Sequence, residues 1–113
     1  MEISKKDWAL FRSKIGEWQE AYMRRLNQEY IELLSKEASP SEKFWELDKR
    51  LKEDKRKPGV QLQLRKSNML FDLAALLSDG AICMEDISEF SQELQEAVDL
   101  IRNGLAGTHQ ELH

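Results

Sequence analysis

Few residues in this chain have the type and spacing that chemistry requires. The histidines, His109 and His113, stand four apart, which on a helix would bring both imidazoles to one side as a metal pair requires. Their surroundings read Thr-His-Gln-Glu-Leu-His, without the H-E-x-x-H order or a third ligand, so a solvated tail is the expectation. Cys83 is the single thiol. No histidine lies near it in sequence, and a position at a helix start explains it structurally, although such a position also lowers a thiol pKa. Asp79-Gly80-Ala81-Ile82, followed by Asp86, imitates the second half of a calcium loop. Ala75 and Leu77 would occupy its first and third positions and offer no side-chain oxygen. No Gly-rich phosphate loop is present. The sequence therefore points away from an enzyme, a metal, a cofactor and a small-molecule substrate.

The elements that would have to position any site are helical. Trp8, Phe11, Ile15, Trp18, Tyr22, Leu26, Tyr30 and Leu33 recur every three or four residues, the helical period. This predicts a first helix over about residues 5–36, roughly 50 Å long, opened by Ser4 with Asp7 completing a capping box. Gly16 inside it costs about 1 kcal/mol relative to alanine. With Ala9, it is either a tolerated glycine or a place where another helix comes close. Ser39-Pro40-Ser41-Glu42 is a strong start signal for a second helix over 40–57, with Phe44, Leu47 and Leu51 inward and Trp45 on the flank. Pro58-Gly59 stops it.

Val60 to Leu64 alternates like a strand, but a lone short strand would have no partner, so a third helix over 60–78 is expected. It is apolar on two faces, Val60, Leu64, Phe71 and Ala74 on one and Leu62, Met69, Leu73 and Leu76 on the other. Gly80 is placed to end it in the left-handed conformation. A fourth helix over 84–102 has Cys83 and Asp86 in cap positions and Ile82 and Ile87 as a hydrophobic staple. Its seam is Ile87, Phe90, Leu94, Val98 and Ile101. The fold expected is all-α and four-helix bundle-like, a single domain over 1–104 with a flexible tail over 105–113.

Charge is distributed unevenly along the 113 residues, whose net charge is −4. Residues 48–66 carry 8 basic and 3 acidic side chains, a net of +5, whereas residues 67–101 carry 8 acids and no base. The basic pole comprises Lys49, Lys52, Lys55, Arg56, Lys57, Arg65 and Lys66. The acidic face comprises Glu85, Glu89, Glu93, Glu96 and Asp99. Either the acidic helix folds against the basic joint, both are solvated, or one pole docks an oppositely charged partner and steers its association. With five acids exposed, the fourth helix would be repelled by phosphate and is no DNA reader.

The segments EWQEAYMRRLNQEYIELL (17–34), KFWELDKRLKEDKRKPGV (43–60) and LLSDGAICMEDISEFSQEL (76–94) resemble short bacterial proteins of unassigned function, some of which carry transporter-type names. The resemblance spans nearly the whole chain, brings no chemical motif and so implies no site. A transporter is at odds with the sequence, because its longest uncharged apolar run falls far short of the ~20 residues that cross a bilayer. With one cysteine and no secretory leader pattern, a cytoplasmic setting is expected.

The function expected is that of a small interaction protein that binds another protein or itself. A first helix nearly twice as long as its companions leaves apolar surface to cover. This suggests a twofold dimer through Trp8, Phe11, Ile15, Trp18, Tyr22, Leu62, Met69 and Leu73. In the opposing geometry, two shorter helices cover the long one end to end in a monomer. A nucleic-acid-binding regulator using residues 49–66, or an acidic-helix inhibitor of a nucleic-acid-processing enzyme, is the alternative.

Overall fold

The computed structural model describes residues 2–111, with side chains as far as residue 104. Four helices follow one another: α1 (Lys5–Ser35), α2 (Pro40–Asp54), α3 (Met69–Ser78) and α4 (Gln92–Glu111). No strand occurs among the described residues. The fold is all-α and bundle-like, as expected. The fourth helix, expected to end at 102, runs on to Glu111 through most of the tail expected over 105–113, and the side chains there, those of His109 and His113 included, lie outside the described ones.

The long helix α1 is unbroken, and its own chain packs along both halves of its stripe, burying Phe11, Ile15, Tyr22, Leu26 and Leu33 and covering Trp8, Trp18 and Tyr30 in part. Toward its N-terminus, Phe11 and Ile15 enter a core with Met69, Leu73 and Leu76 of α3, Ile82, Ile87 and Phe90 of the following loop, and Leu94 and Val98 of α4. Trp18 meets Phe90 edge-on at 6.4 Å. Toward its C-terminus, Tyr22, Leu26 and Leu33 are buried on the side where α2 returns. The result is a head built on one half of α1 and a two-helix arm built on the other.

Local chemistry explains the joints. Ser39 Oγ accepts from the Glu42 amide with Pro40 at the first helical position, where the missing N–H costs nothing. The last carbonyls of α1 find donors in Ser35 Oγ, on Ile31 O, and Lys43 Nζ, on Leu34 O, so a cation meets the negative end of the helix dipole. Gly80 takes φ +74°. Around it Ala81 N donates to Leu76 O and Gly80 N to Leu77 O, the paired bonds of a Schellman ending. Ile82 and Ile87 are both buried, and Asp86 accepts from the Cys83 amide at 2.8 Å, as a capping arrangement at 83–86 requires.

Three further expectations are corrected. The third helix does not begin at 60: residues 61–65 form no regular element, Arg65 being extended, a 3-10 turn follows at Lys66–Asn68, and α3 starts at Met69. Reach is the reason. Gly59 rests on Tyr22 in the middle of α1, while Lys66, Ser67 and Leu70 border a depression with Ile3, just ahead of α1. The segment between must run back toward the start of α1, and a helix rises only about 1.5 Å per residue against about 3.3 Å for stretched chain. No partner strand is needed, because the segment is a tether.

The fourth helix is also divided, into a 3-10 turn at Met84–Ile87 and α4 from Gln92. Asp7, 2% exposed, accepts from Ser91 N at 3.0 Å and Ser91 Oγ at 2.6 Å. A buried carboxylate without donors is costly, and Ser91 satisfies it with an amide that would otherwise extend the helical ladder. Ser91 Oγ then accepts from Leu94 N at 3.2 Å, capping α4. Ser4 Oγ does accept from Asp7 N, but the Asp7 carboxylate reaches across to Ser91 instead of closing a box at its own helix.

Phe44 is the third correction. It is 61% exposed, not inward: α1 ends at Ser35, and the start of α2 meets only its last carbonyls, through Lys43 on Leu34 O. The α2 helix itself ends at Asp54, with turns continuing to Gly59.

Candidate functional site

The arm is where unsatisfied surface and organised polar groups coincide. Asp7 and Asp54 are the buried charged residues among those described. Asp54 sits in the last turn of α2, facing α1. It accepts from Tyr30 Oη at 2.5 Å and lies 3.3 Å from Lys57 Nζ and 3.7 Å from Arg50. Arg50 also donates to Glu29 at 2.8 Å and lies over the Tyr30 ring at 5.6 Å. Burial, and then the Asp54 carboxylate to which it donates, hold the Tyr30 phenol well above the ordinary tyrosine range. Tyr30 is therefore neutral at neutral pH and no nucleophile. The cluster joins α2 to α1.

Beside this cluster a groove of about 260 Å³ runs between the two helices, bordered by Met23, Leu26 and Tyr30 of α1 and by Leu51, Lys55 and Val60. Helical spacing extends both walls toward the tip of the arm. Leu34 follows Tyr30 by one turn, and Phe44 precedes Leu51 by two turns on the same face. Leu34 is 46% exposed and Phe44 61%. Trp45, 64% exposed, stacks edge-on against Phe44 at 5.0 Å. The far end of the groove is closed by a tight contact: a Cβ on Gly59 would lie 2.4 Å from the Tyr22 ring, and Gln19 donates to Pro58 O at 2.9 Å.

The basic pole falls largely around this arm. Lys49, Lys52, Lys55 and Arg56 are exposed on or just beyond α2, while Lys57 is partly buried and turned to Asp54. Lys52 pairs with Asp48 at 3.0 Å. Lys49, Lys55 and Arg56 make no ion pair among the described residues. Arg65 and Lys66 are exposed farther on, at the start of the head. The acidic face is exposed on the head: Glu85 on the 3-10 turn, Glu89 in the loop, Glu93, Glu96 and Asp99 on α4. Its one ion pair among the described residues is Glu89 with Lys14 at 3.4 Å. The two poles therefore do not fold against each other.

The residues expected to self-associate are already engaged. Phe11, Ile15, Tyr22, Met69 and Leu73 are buried inside the chain, and Trp8, Trp18 and Leu62 pack against its core. They form no free face, because the loop and helices from Met69 to Val98 cover one half of α1, and α2 with Gly59 covers the other. Nothing lies within 4 Å of a Cβ placed on Gly16, so no helix of this chain uses that glycine for close approach.

Sequence reasoning missed the groove. Its signal was present in Leu34 and Phe44, large apolar residues set close to the turn between α1 and α2, where little chain is left to cover them. Among the described residues, no trio of histidine, cysteine or acidic side chains is placed to hold a metal, and no helix is long and apolar enough to cross a membrane. No protein-family model, curated protein or solved structure matches this chain.

Proposed function

We propose that this chain is a non-enzymatic protein-binding module and that it binds through the groove between α1 and α2. One observation carries the reading: an open groove lined by Met23, Leu26, Tyr30, Leu51 and Val60 lies beside the Asp54 cluster, and helical spacing continues its two walls to Leu34 and Phe44, large apolar side chains that stand exposed. Large exposed apolar groups gathered at one place mark interaction surfaces, whereas scattered ones need no explanation. A cytoplasmic setting suits the single free thiol. Self-association through the α1 stripe is not part of this reading, since that stripe is covered.

The test is site-specific photocrosslinking in lysate of the source cell, with the crosslinker at position 44 or, as a control, at position 93. Discrete adducts are expected at 44 alone, and Leu34→Ala should reduce them about tenfold. Adducts at 93 alone would transfer the function to the acidic face and sink the proposal. A nucleic-acid reading draws on one observation, that Trp45, Lys49 and Lys52 share one exposed stripe of α2 at spacings of four and three, with exposed Arg56 just beyond its end. It requires salt-sensitive retardation of a single-stranded oligonucleotide that weakens on Trp45→Ala.

A further inference from the structure

We infer that the occupant of the α1–α2 groove is an acidic amphipathic helix of a different protein, about three turns long. This rests on the groove being the binding surface.

Length comes first. The groove's lining runs from Met23 to Tyr30, about 10 Å along α1, and exposed Leu34 one turn on lengthens that apolar row to about 16 Å, which is about three turns of helix. Its walls present apolar groups at one- and two-turn intervals, Met23, Tyr30 and Leu34 on one side and Phe44 and Leu51 on the other. A helix laid between them would meet these with residues at i, i+3 or i+4, and i+7. At about 260 Å³ the enclosed part is smaller than most small-molecule sites, and it opens along its length toward the tip instead of closing.

Charge selects the sign. The α2 side of the groove carries Lys52 and Lys55, with Lys49 and Arg56 behind them, against Asp48, which is paired to Lys52. Asp54 contributes no free negative charge to the rim, since Tyr30, Arg50 and Lys57 surround it. On the α1 side Glu20 and Arg24 are both exposed and offset each other. The rim is therefore net positive, and complementary charge favours an acidic flank on the incoming helix.

A second copy of this chain fits less well. Its acidic helix is α4, but Leu94 and Val98 of that helix are fully buried. Among the described residues of α4, Leu100, 72% exposed, is the large apolar side chain left to offer the groove. Docking α4 would require unfolding the head.

The test titrates the isotopically labelled full chain with three synthetic helical peptides of about three to four turns. One has leucines on one face and glutamates on its flanks, one has the same leucines with lysine flanks, and one has glutamate flanks with alanines in place of the leucines. The leucine–glutamate peptide should shift the resonances of Leu34, Phe44 and Lys55 with a Kd of about 10–100 µM. Binding should weaken about tenfold between low and high salt. The double variant Lys52→Glu/Lys55→Glu should lose about tenfold for that peptide and gain for the lysine-flanked one, a reversal that damage to the fold would not produce.

Equal binding of the lysine-flanked peptide to the native chain would overturn the acidic preference while leaving the groove reading intact. Absence of groove shifts with every peptide would overturn both. Concentration-dependent shifts of Phe44 without peptide would make a second copy the occupant. Displacement of the leucine–glutamate peptide by a single-stranded oligonucleotide would make it nucleic acid. Either result overturns the inference.

Discussion

Head and arm share one helix, yet α1 is buried by unlike means in the two. In the head, Phe11 and Ile15 meet aliphatic side chains from three later segments, and Met69, Leu73, Leu76, Ile87, Leu94 and Val98 are fully or almost fully withdrawn from water. In the arm α2 contributes Leu47 and Leu51, both only partly buried, and its most buried side chain is Asp54. Hydrophobic burial is nondirectional and cumulative, so the head gains stability from many contacts at once. The arm buries Tyr22, Leu26 and Leu33 of α1 and adds one satisfied carboxylate and one close glycine contact, with Phe44 and Trp45 left outside. A folded head with a thinly covered arm is an arrangement in which a partner can complete the apolar surface of the arm without disturbing the head.

The largest expected effect tests the head. Leu94→Ala should cost about 2–5 kcal/mol in urea unfolding, because Leu94 is wholly buried and the core there is lined by side chains from several elements. Leu51→Ala, in the arm, should cost less than half as much. Equal losses would erase the distinction between the two regions.

Gly59→Ala comes next, at about 1–3 kcal/mol, since the added methyl collides with the ring of Tyr22 and not with a movable side-chain end. Pairing it with Tyr22→Leu should recover part of the loss, measured as a nonadditive double-mutant cycle.

Asp54→Asn should cost about 1–2 kcal/mol, read most clearly by hydrogen exchange: amides of α2 lose protection while those of α3 and α4 keep theirs. Alkaline pH should act on the same cluster. The phenol of Tyr30 is held above its ordinary value of about 10 in the folded chain, so its stabilising contribution is complete below that value. It declines as pH rises from there toward the folded pKa. The arm should therefore loosen above about pH 10, and Tyr30→Phe should remove that part of the pH dependence.

The smallest effect is a gain. Asp72 Oδ2 is buried without a hydrogen-bond partner among the described residues, and burial raises its pKa. Its charged form opposes folding, and the opposition is relieved as pH falls through the folded value. Asp72→Asn should stabilise the head by about 0.5 kcal/mol at neutral pH, reduced by the lost attraction of an acid for the first turn of α3.

Much of the architecture was legible in residue order. The three-and-four spacing from Trp8 to Leu33 can only make one stripe on a helix. Ser39-Pro40, Gly80 and the Ile82–Ile87 staple act within a turn of their own positions, which is why they could be read without a neighbour in view. The same holds for the two charge poles, whose exposure follows from the cost of burying ions.

What tertiary structure alone decided is which surfaces meet. Residues 61–65 leave the helical pattern because the chain has to run from the middle of α1 back toward its start, a distance invisible in the alternation of Gln61 to Leu64. Asp7 abandons its own helix start for Ser91, far along the chain, because a buried carboxylate takes whatever donors the fold brings to it. Phe44 has the spacing of a core residue and lies outside, since spacing assigns a face and only the end of a neighbouring helix determines whether that face is covered. Local bonds are written in local sequence; coverage is a property of the assembled surfaces, and so the groove emerged only when α1 and α2 were placed side by side.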